Sequence, residues 1–258
     1  MAEKEDIRQG DGGARKGSVT VVGIGPGGLA HLTGMAVEAL TRADCVVGYT
    51  RYVKLIEPLV HGKELFTTGM THEVERCERA IEMAREGRRV AVVSSGDAGI
   101  YGMAGLILQL GKGTGVEIKV VPGVPAFVAA ASILGAPLMH DFASISLSDL
   151  LTEWGTIEQR LEAAAKADFV IALYNPKSTK RVEGLARAVE IIARHRDAAT
   201  PVGVVRNATR ESEDVLLTTI GEMPACYGSI DMLTIIIIGN SATFSFDGRM
   251  ITPRGYRI

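Results

Sequence analysis

Short apolar runs alternate with amphipathic segments along almost the whole chain. Runs rich in β-branched residues, such as 90–93 and 169–174, are typical of strands that are covered on both faces. Between such runs, apolar residues recur every three to four positions, as over 73–86, which predicts helices that bury one face. Because this alternation continues through both halves, we predict an α/β protein with two α/β lobes.

The hydrophobic pattern also gives the order of the elements. We predict strands over 19–24, 45–47, 90–93, 116–121, 144–147, 169–174, 202–205, 215–219 and 233–238. We predict helices over 34–42 (with Thr33 as its N-cap), 73–86, 103–110, 126–134, 157–167 and 181–195, and a short helix or turn over 52–59.

The domain organisation follows from breaks in this pattern. Residues 1–17 are charged and glycine-rich without an apolar core, so we expect a disordered tail and neither a signal peptide nor a membrane anchor. The Gly135-Ala136-Pro137 break divides the remainder into an N-terminal lobe, 18–140, and a C-terminal lobe, 141–258.

Composition excludes several classes of function. The 258 residues carry a net charge of −2 and only 5% are aromatic, so there is neither a basic field nor a stacking platform for nucleic acid. Three scattered cysteines, Cys45, Cys77 and Cys226, predict a reduced, cytoplasmic protein without a disulfide framework. Since the histidines are also isolated, we expect no metal ion. The most apolar run, 235–238, is far too short to span a bilayer, so we expect no membrane contact.

The loop over 94–105 is the most informative stretch. It follows the buried strand 90–93 and carries four glycines and one carboxylate, Asp97. Glycine lets the backbone approach a ligand closely, and loops at the carboxyl ends of buried parallel strands are where open α/β sheets bind ligands. Asp97 would then be a fixed acceptor for a ribose hydroxyl or an amine; the alternative is a surface turn with a solvated carboxylate.

Four other strand ends carry loops of a similar kind. They are Gly25-Pro26, Pro122-Gly123, Tyr174-Asn175 and 206–210, the last with two arginines. Three of the five loops belong to the first lobe and two to the second. Their convergence predicts a cleft between the lobes that holds a cofactor and its substrate.

The segment Gly23-Ile24-Gly25-Pro26-Gly27-Gly28 matches a dinucleotide-binding pattern, but its context does not. Pro26 lacks the N–H that such a loop aims at a pyrophosphate, and the next helix is expected to begin near Thr33. The second strand also runs into Gly48-Tyr49 without the acidic residue that holds an adenine ribose. A nicotinamide-dependent reductase is therefore only a rival interpretation.

An ordered set of motifs resembles the tetrapyrrole (corrin/porphyrin) methyltransferase family over about residues 18–240. The motifs are Val47-Gly48-Tyr49, Thr68-Gly69-Met70, Glu73-Val74-Glu75-Arg76, 94–105, His140-Asp141-Phe142, 146–152 and Tyr174-Asn175-Pro176. The resemblance implies a two-lobed enzyme, usually a homodimer, that binds S-adenosylmethionine between its lobes. Carried over by motif, the cofactor-binding residues are Pro26, Ser95, Gly96, Asp97, Ile100, Tyr101, Pro125, Ala126, Asn175 and Ala208.

The same resemblance implies methylation of precorrin-3B at C17 with contraction of the macrocycle to precorrin-4, in cobalamin biosynthesis. The alternatives are C17 methylation of cobalt-factor III, another precorrin methyltransferase, and a tetrapyrrole-binding protein without catalytic activity. Thr50 replaces an Asp that some family members carry after the tyrosine of the second strand, so that acid/base role cannot be transferred.

The catalytic acid or base is unknown from the sequence. The candidates are Thr50, His140, Asp141 and Asp149. The substrate carries many carboxylates, which a nearly neutral protein must meet with local positive charge. The candidates for binding them are Arg51, Lys54, Arg206 and Arg210.

Overall fold

The structure is a computed structural model that describes residues 16–178 and 181–257. Of the predicted tail, residues 1–15 lie outside the described residues. Gly17 is already part of the packed chain, because a Cβ at this position would lie 2.0 Å from the Ala84 carbonyl oxygen.

The first lobe is a five-stranded parallel sheet in the order β3-β2-β4-β1-β5, with helices on both faces. Its elements are β1 (Ser18–Gly23), α1 (Gly34–Arg42), β2 (Cys45–Tyr49), α2 (Thr50–Leu55), α3 (Glu57–Val60), β3 (Glu64–Thr68), α4 (Glu73–Arg85), β4 (Arg89–Ser94), α5 (Ala104–Leu110) and β5 (Glu117–Val121). The central strands β1 and β4 are almost entirely buried, as their unbroken apolarity predicts. Thr33 caps α1 as predicted, since its hydroxyl accepts the Ala36 N–H.

The second lobe is built on a five-stranded mixed sheet in the order β10-β9-β11-β8-β7. Its elements are α6 (Ala126–Leu134), β6 (Gly135–Ala136), β7 (Phe142–Ser146), α7 (Trp154–Lys166), β8 (Val170–Tyr174), α8 (Gly184–Ala193), β9 (Pro201–Arg206), β10 (Asp214–Thr219), α9 (Met223–Cys226), β11 (Thr234–Ile238), β12 (Phe244–Phe246) and β13 (Arg249–Ile251). Strands β7, β8 and β9 share one direction, whereas β10 and β11 run the opposite way. The short strands β12, β13 and β6 form a separate three-stranded sheet.

Helix α6 packs on the second sheet although it precedes the boundary expected near residue 140. Phe127, Ala130 and Leu134 share one apolar cluster with Val170 of β8 and Ile237 of β11. By packing, the chain therefore crosses between the lobes at the loop after β5.

The two-lobed α/β architecture is confirmed, and the differences are local. The predicted segment 52–59 is divided at Ile56 into α2 and α3, and the predicted helix 181–195 begins only at Gly184. β3 escaped prediction because, as an edge strand, it buries little of Glu64–Thr68. β12 was missed for a similar reason, since all three of its residues are exposed.

Three glycines allow the carboxyl ends of β1, β4 and β5 to meet. A Cβ on Gly123 would lie 2.2 Å from the Gly96 carbonyl oxygen and 2.7 Å from the Gly23 carbonyl carbon. A Cβ on Gly23 would likewise lie 2.6 Å from the Gly123 nitrogen. These are backbone atoms that cannot rotate away, so no larger residue fits at this junction.

We expect Gly123→Ala to lower the free energy of unfolding by about 1–3 kcal/mol, because the added methyl overpacks fixed backbone. Gly105→Ala is the matched control: a Cβ there has no neighbour within 4 Å, and Gly105 lies in helix α5. We expect this control to gain about 0.5–1 kcal/mol. Urea denaturation of both variants checks the pair, and a Gly123→Ala variant as stable as the wild type would contradict the account.

Candidate functional site

A cleft of about 170 Å³ lies between the lobes at the carboxyl edge of the first sheet. Strands β1 and β4 are neighbours there, yet β1 leads to β2 on one side and β4 leads to β5 on the other. The connections after these two strands therefore run in opposite directions, and the carboxyl end of such a strand pair is the usual ligand position in open parallel sheets. The lining residues are Pro26, Tyr52, Ser95, Gly96, Asp97, Ile100, Tyr101, Ala126, Tyr174, Asn175, Asn207, Ala208, Arg210 and the four residues 232–235.

Backbone contacts fix the floor of the cleft. Gly25 and Gly96 exchange two N–H···O bonds, of 3.0 and 2.7 Å, across the loops after β1 and β4. Both glycines have positive φ, +74° and +66°, which a residue with a side chain adopts only with strain. The two loops are thus held together before any ligand arrives.

The Asp97 carboxylate ties a third loop to this floor. Its Oδ1 accepts the Gly99 N–H at 2.8 Å, and its Oδ2 accepts the Gly123 N–H at 3.0 Å. The carboxylate thereby holds the loop after β4 against the loop after β5. Each oxygen keeps a further lone pair that can face the cleft.

Contacts across the cleft join the two lobes. Arg210, in the loop after β9, donates from Nε to the Pro26 carbonyl oxygen and from Nη2 to the Ser95 hydroxyl at 2.9 Å. On the other side, the Tyr101 hydroxyl donates to the Ser144 carbonyl oxygen at 2.9 Å. These contacts fix where the second lobe sits over the loops of the first.

Three lining residues hold a left-handed backbone without being glycine. Tyr101, Asn175 and Asn207 have φ of 52°, 51° and 52°. Such conformations cost energy and concentrate where a structure serves ligand binding. At Asn175, the side chain also donates from Nδ2 to the Ser146 hydroxyl at 3.0 Å, so the loop after β8 has a defined shape.

Tyrosines form one wall of the cleft. The rings of Tyr101 and Tyr174 lie 5.0 Å apart, and the Phe127 N–H donates to the Tyr174 hydroxyl at 3.2 Å. Burial raises the pKa of Tyr174 to about 12. Burial also raises the pKa of Tyr52, against the opposing effect of the nearby Arg210 cation. Both phenols are therefore neutral at physiological pH and serve as hydrogen-bonding, ring-bearing groups rather than as bases.

Nine of the ten predicted cofactor residues line this one cleft, although they come from widely separated segments. They are Pro26, Ser95, Gly96, Asp97, Ile100, Tyr101, Ala126, Asn175 and Ala208. The tenth, Pro125, caps the start of α6 directly before Ala126 and does not line the cleft.

The predicted catalytic candidates are not brought into the cleft. The Thr50 hydroxyl donates to the Thr68 carbonyl oxygen, and Asp149 pairs with Arg181 at 3.8 Å. His140 and Asp141 are exposed neighbours, and the His140 Nδ1 accepts the Asp141 N–H. None of the four lines the cleft, so none gains a role there from its position.

The predicted substrate cations are divided. Arg210 lines the cleft itself, whereas Arg206 pairs with Asp231 at 2.8 Å and lies outside it. Arg51 and Lys54 are exposed on α2, the helix whose Tyr52 faces the cleft. Arg210 therefore lies among the predicted cofactor residues and apart from the other three cations.

Several lining residues are not among the predicted site residues, namely Tyr52, Tyr174, Asn207 and 232–235. Tyr174 and Asn207 lie in two of the five loops that the sequence predicts to converge, although neither was chosen as a cofactor residue. The segment 232–235 enters for a different reason: β11 runs antiparallel to β8 and β9, so its beginning lies where their ends lie. A search restricted to the carboxyl ends of strands misses it.

Within 16–178 and 181–257, no three or more His, Cys, Asp or Glu side chains are grouped so that they could hold a metal ion. No helix in the part of the chain that the structure describes is long and apolar enough to cross a membrane.

The fold and the cleft define a two-lobed α/β protein whose candidate site lies between a parallel and a mixed sheet. The family model for Tetrapyrrole (Corrin/Porphyrin) Methylases matches residues 18–224. The chain therefore belongs to this family, which confirms the resemblance that its motifs indicate.

The similar proteins include close relatives. A probable cobalt-factor III C(17)-methyltransferase of Salmonella typhimurium is 52% identical over 93% of this chain and 100% of its own length. A cobalt-factor III methyltransferase of Priestia megaterium is 48% identical over 94% of this chain, which spans 46% of that longer protein. The crystal structure of the methyltransferase CobJ superposes with a TM-score of 0.87, at 38% identity over 92% of this chain and 100% of the other.

We expect Asp97→Ala to lower the free energy of unfolding by about 2–4 kcal/mol, because two backbone N–H groups lose a charged acceptor. Asp97→Asn keeps one carbonyl acceptor and should lose about half as much. Asp141→Ala is the control, since its exposed carboxylate should matter by less than about 0.5 kcal/mol. Chemical denaturation followed by circular dichroism measures all three; equal stability of Asp97→Ala and Asp141→Ala would contradict the role given to Asp97.

Proposed function

We propose that the chain is an S-adenosylmethionine-dependent methyltransferase of cobalamin biosynthesis. Its reaction is methylation of C17 of precorrin-3B, with contraction of the macrocycle to precorrin-4. The observation that carries the proposal is the meeting of Pro26, the 95–101 loop, Asn175 and Ala208 around one cleft.

The cleft is suited to a nucleoside that carries an amino-acid tail. Its lining offers flat or close-packed surfaces. These are the backbone at Gly96, which has no side chain, the rings of Tyr101 and Tyr174, and the apolar side chains of Ala126 and Ala208. Asp97 and Arg210 add one charge of each sign. When bound, S-adenosylmethionine supplies a methyl group activated by its sulfonium, which a nucleophilic ring carbon can accept directly.

The residues of the chain need not form a nucleophile for such a transfer. Their part is to orient the acceptor carbon and to keep water out, and favourable orientation can supply roughly 7–11 kcal/mol of barrier lowering. The hydrogen bonds of Arg210 and Tyr101 across the cleft give the rigidity that this task requires.

A second candidate substrate is cobalt-factor III. It is favoured by the names of the Salmonella typhimurium and Priestia megaterium relatives, at 52% and 48% identity. C17 methylation is common to both candidates, and they differ in whether cobalt is already in the macrocycle.

Titration of the protein with S-adenosylhomocysteine by calorimetry tests the shared part of the proposal. We expect saturable binding of one ligand per chain and no binding of NADPH. Binding of NADPH alone would instead support the reductase interpretation.

Assays with precorrin-3B and cobalt-factor III, side by side with the methyl donor, test the substrate. We expect precorrin-3B to yield a methylated, ring-contracted product by mass and absorption. Turnover of cobalt-factor III alone would assign the chain to the cobalt-containing route, and binding of either tetrapyrrole without turnover would contradict the catalytic role.

We further propose that Arg51 and Lys54 receive substrate carboxylates. Both are exposed on α2 beside the cleft, and neither forms an ion pair with another residue in 16–178 or 181–257. Arg206 is less available, since a substrate would have to compete with Asp231 for its guanidinium.

We expect the double variant Arg51→Met, Lys54→Met to raise the substrate KM by roughly 3–10-fold, since each exposed ion pair contributes about 0–1 kcal/mol. Its affinity for S-adenosylhomocysteine should not change. Lys112→Met serves as control, because Lys112 follows α5 at the opposite edge of the sheet. A loss of cofactor affinity with an unchanged KM would contradict this assignment.

A further inference from the structure

Arg210 is the one cation among the described residues that line the cleft. It uses two of its five N–H donors, one on Nε and one on Nη2, for the Pro26 carbonyl oxygen and the Ser95 hydroxyl. The remaining donors, including both on Nη1, form no hydrogen bond with the described residues. One side of the guanidinium fork is therefore open to a ligand.

Both acceptors of Arg210 are neutral. Among the described residues no carboxylate lies within ion-pair distance of it, in contrast to Arg206 with Asp231 and Arg181 with Asp149. Burial lowers the pKa of Arg210 because it withdraws the guanidinium charge from water. The nearby Tyr52 acts on this pKa in the opposite direction. A cation held in this way gains strongly from an anionic partner.

A second charge limits which anion fits. Asp97 is the other charged residue that lines the cleft, and it lies two positions from the Ser95 that Arg210 contacts. The acetate and propionate groups of a tetrapyrrole would meet attraction from Arg210 but repulsion from Asp97. An α-amino acid, which carries a carboxylate and an ammonium group together, matches both charges.

We propose that Arg210 binds the carboxylate, and Asp97 the ammonium group, of the amino-acid end of the methyl donor. This inference rests on the proposed function. It assigns Arg210 to cofactor binding, whereas the sequence analysis expected it to bind the substrate. On binding, the carboxylate takes up the open donors of the fork, so that the ligand joins a second-lobe arginine to the first-lobe loop that carries Asp97.

Calorimetry with three ligands tests the assignment on the full chain. S-adenosylhomocysteine has both charged groups, its decarboxylated analogue keeps only the ammonium, and methylthioadenosine has neither. We expect Arg210→Met to weaken S-adenosylhomocysteine roughly 10–100-fold and to leave the other two ligands within about twofold of their wild-type affinity. Arg194→Met, an exposed arginine of the second lobe, is the matched control and should change none of the three.

Two further variants keep the test independent of folding. Arg210→Lys retains the charge without the fork and should give an intermediate loss for S-adenosylhomocysteine alone. Asp97→Asn should weaken S-adenosylhomocysteine and the decarboxylated analogue alike, and leave methylthioadenosine unchanged. Thermal melting of each variant verifies that it is folded.

Other results would overturn the inference. Unchanged affinity of Arg210→Met for S-adenosylhomocysteine would do so, and so would an equal loss for all three ligands, which would mean that Arg210 only shapes the cleft. If the wild-type protein bound no S-adenosylhomocysteine, the proposed function itself would fail, a result separate from all of these.

Discussion

The cleft depends on the hydrogen bonds that the Asp97 carboxylate forms with the backbone of two different loops. With its Oδ1 on Gly99 and its Oδ2 on Gly123, it sets the loop after β4 against the loop after β5. The strand ends can come this close because Gly23, Gly96 and Gly123 carry no side chains. Charge-assisted bonds to backbone donors are strong and directional, so the floor of the cleft is formed in the folded chain itself.

Side-chain hydrogen bonds between the lobes position the second lobe over the first. Arg210 reaches the Pro26 and Ser95 loops, and Tyr101 reaches Ser144, from opposite sides of the cleft. Asp97 and Arg210 belong to different lobes and line one cleft. In the binding mode that we propose, the methyl donor would contact both side chains and so couple its binding to the relative placement of the lobes.

The sequence predicted those parts of the cleft in which the end of a single strand determines where a single loop lies. The loops at Pro26, 95–101, Asn175 and Ala208 were predictable, because the carboxyl ends of parallel strands meet at one edge. The family resemblance then specified which of their residues to choose. Properties that arise only from tertiary packing were not predictable, such as the attachment of α6 to the second sheet through Phe127. The same applies to the pairing of Arg206 with Asp231, and to the start of β11, which enters the cleft only because that strand is antiparallel.

We propose that one folded methyl donor occupies the space between the 95–101 loop and the loops after β8 and β9. A crystal structure of the full chain grown with S-adenosylhomocysteine would show where the donor binds. We expect ligand density in contact with residues 95–101 of the first lobe and with Asn175 and Ala208 of the second lobe. Density at another surface, with the 95–101 loop open to solvent and remote from Asn175, would contradict it.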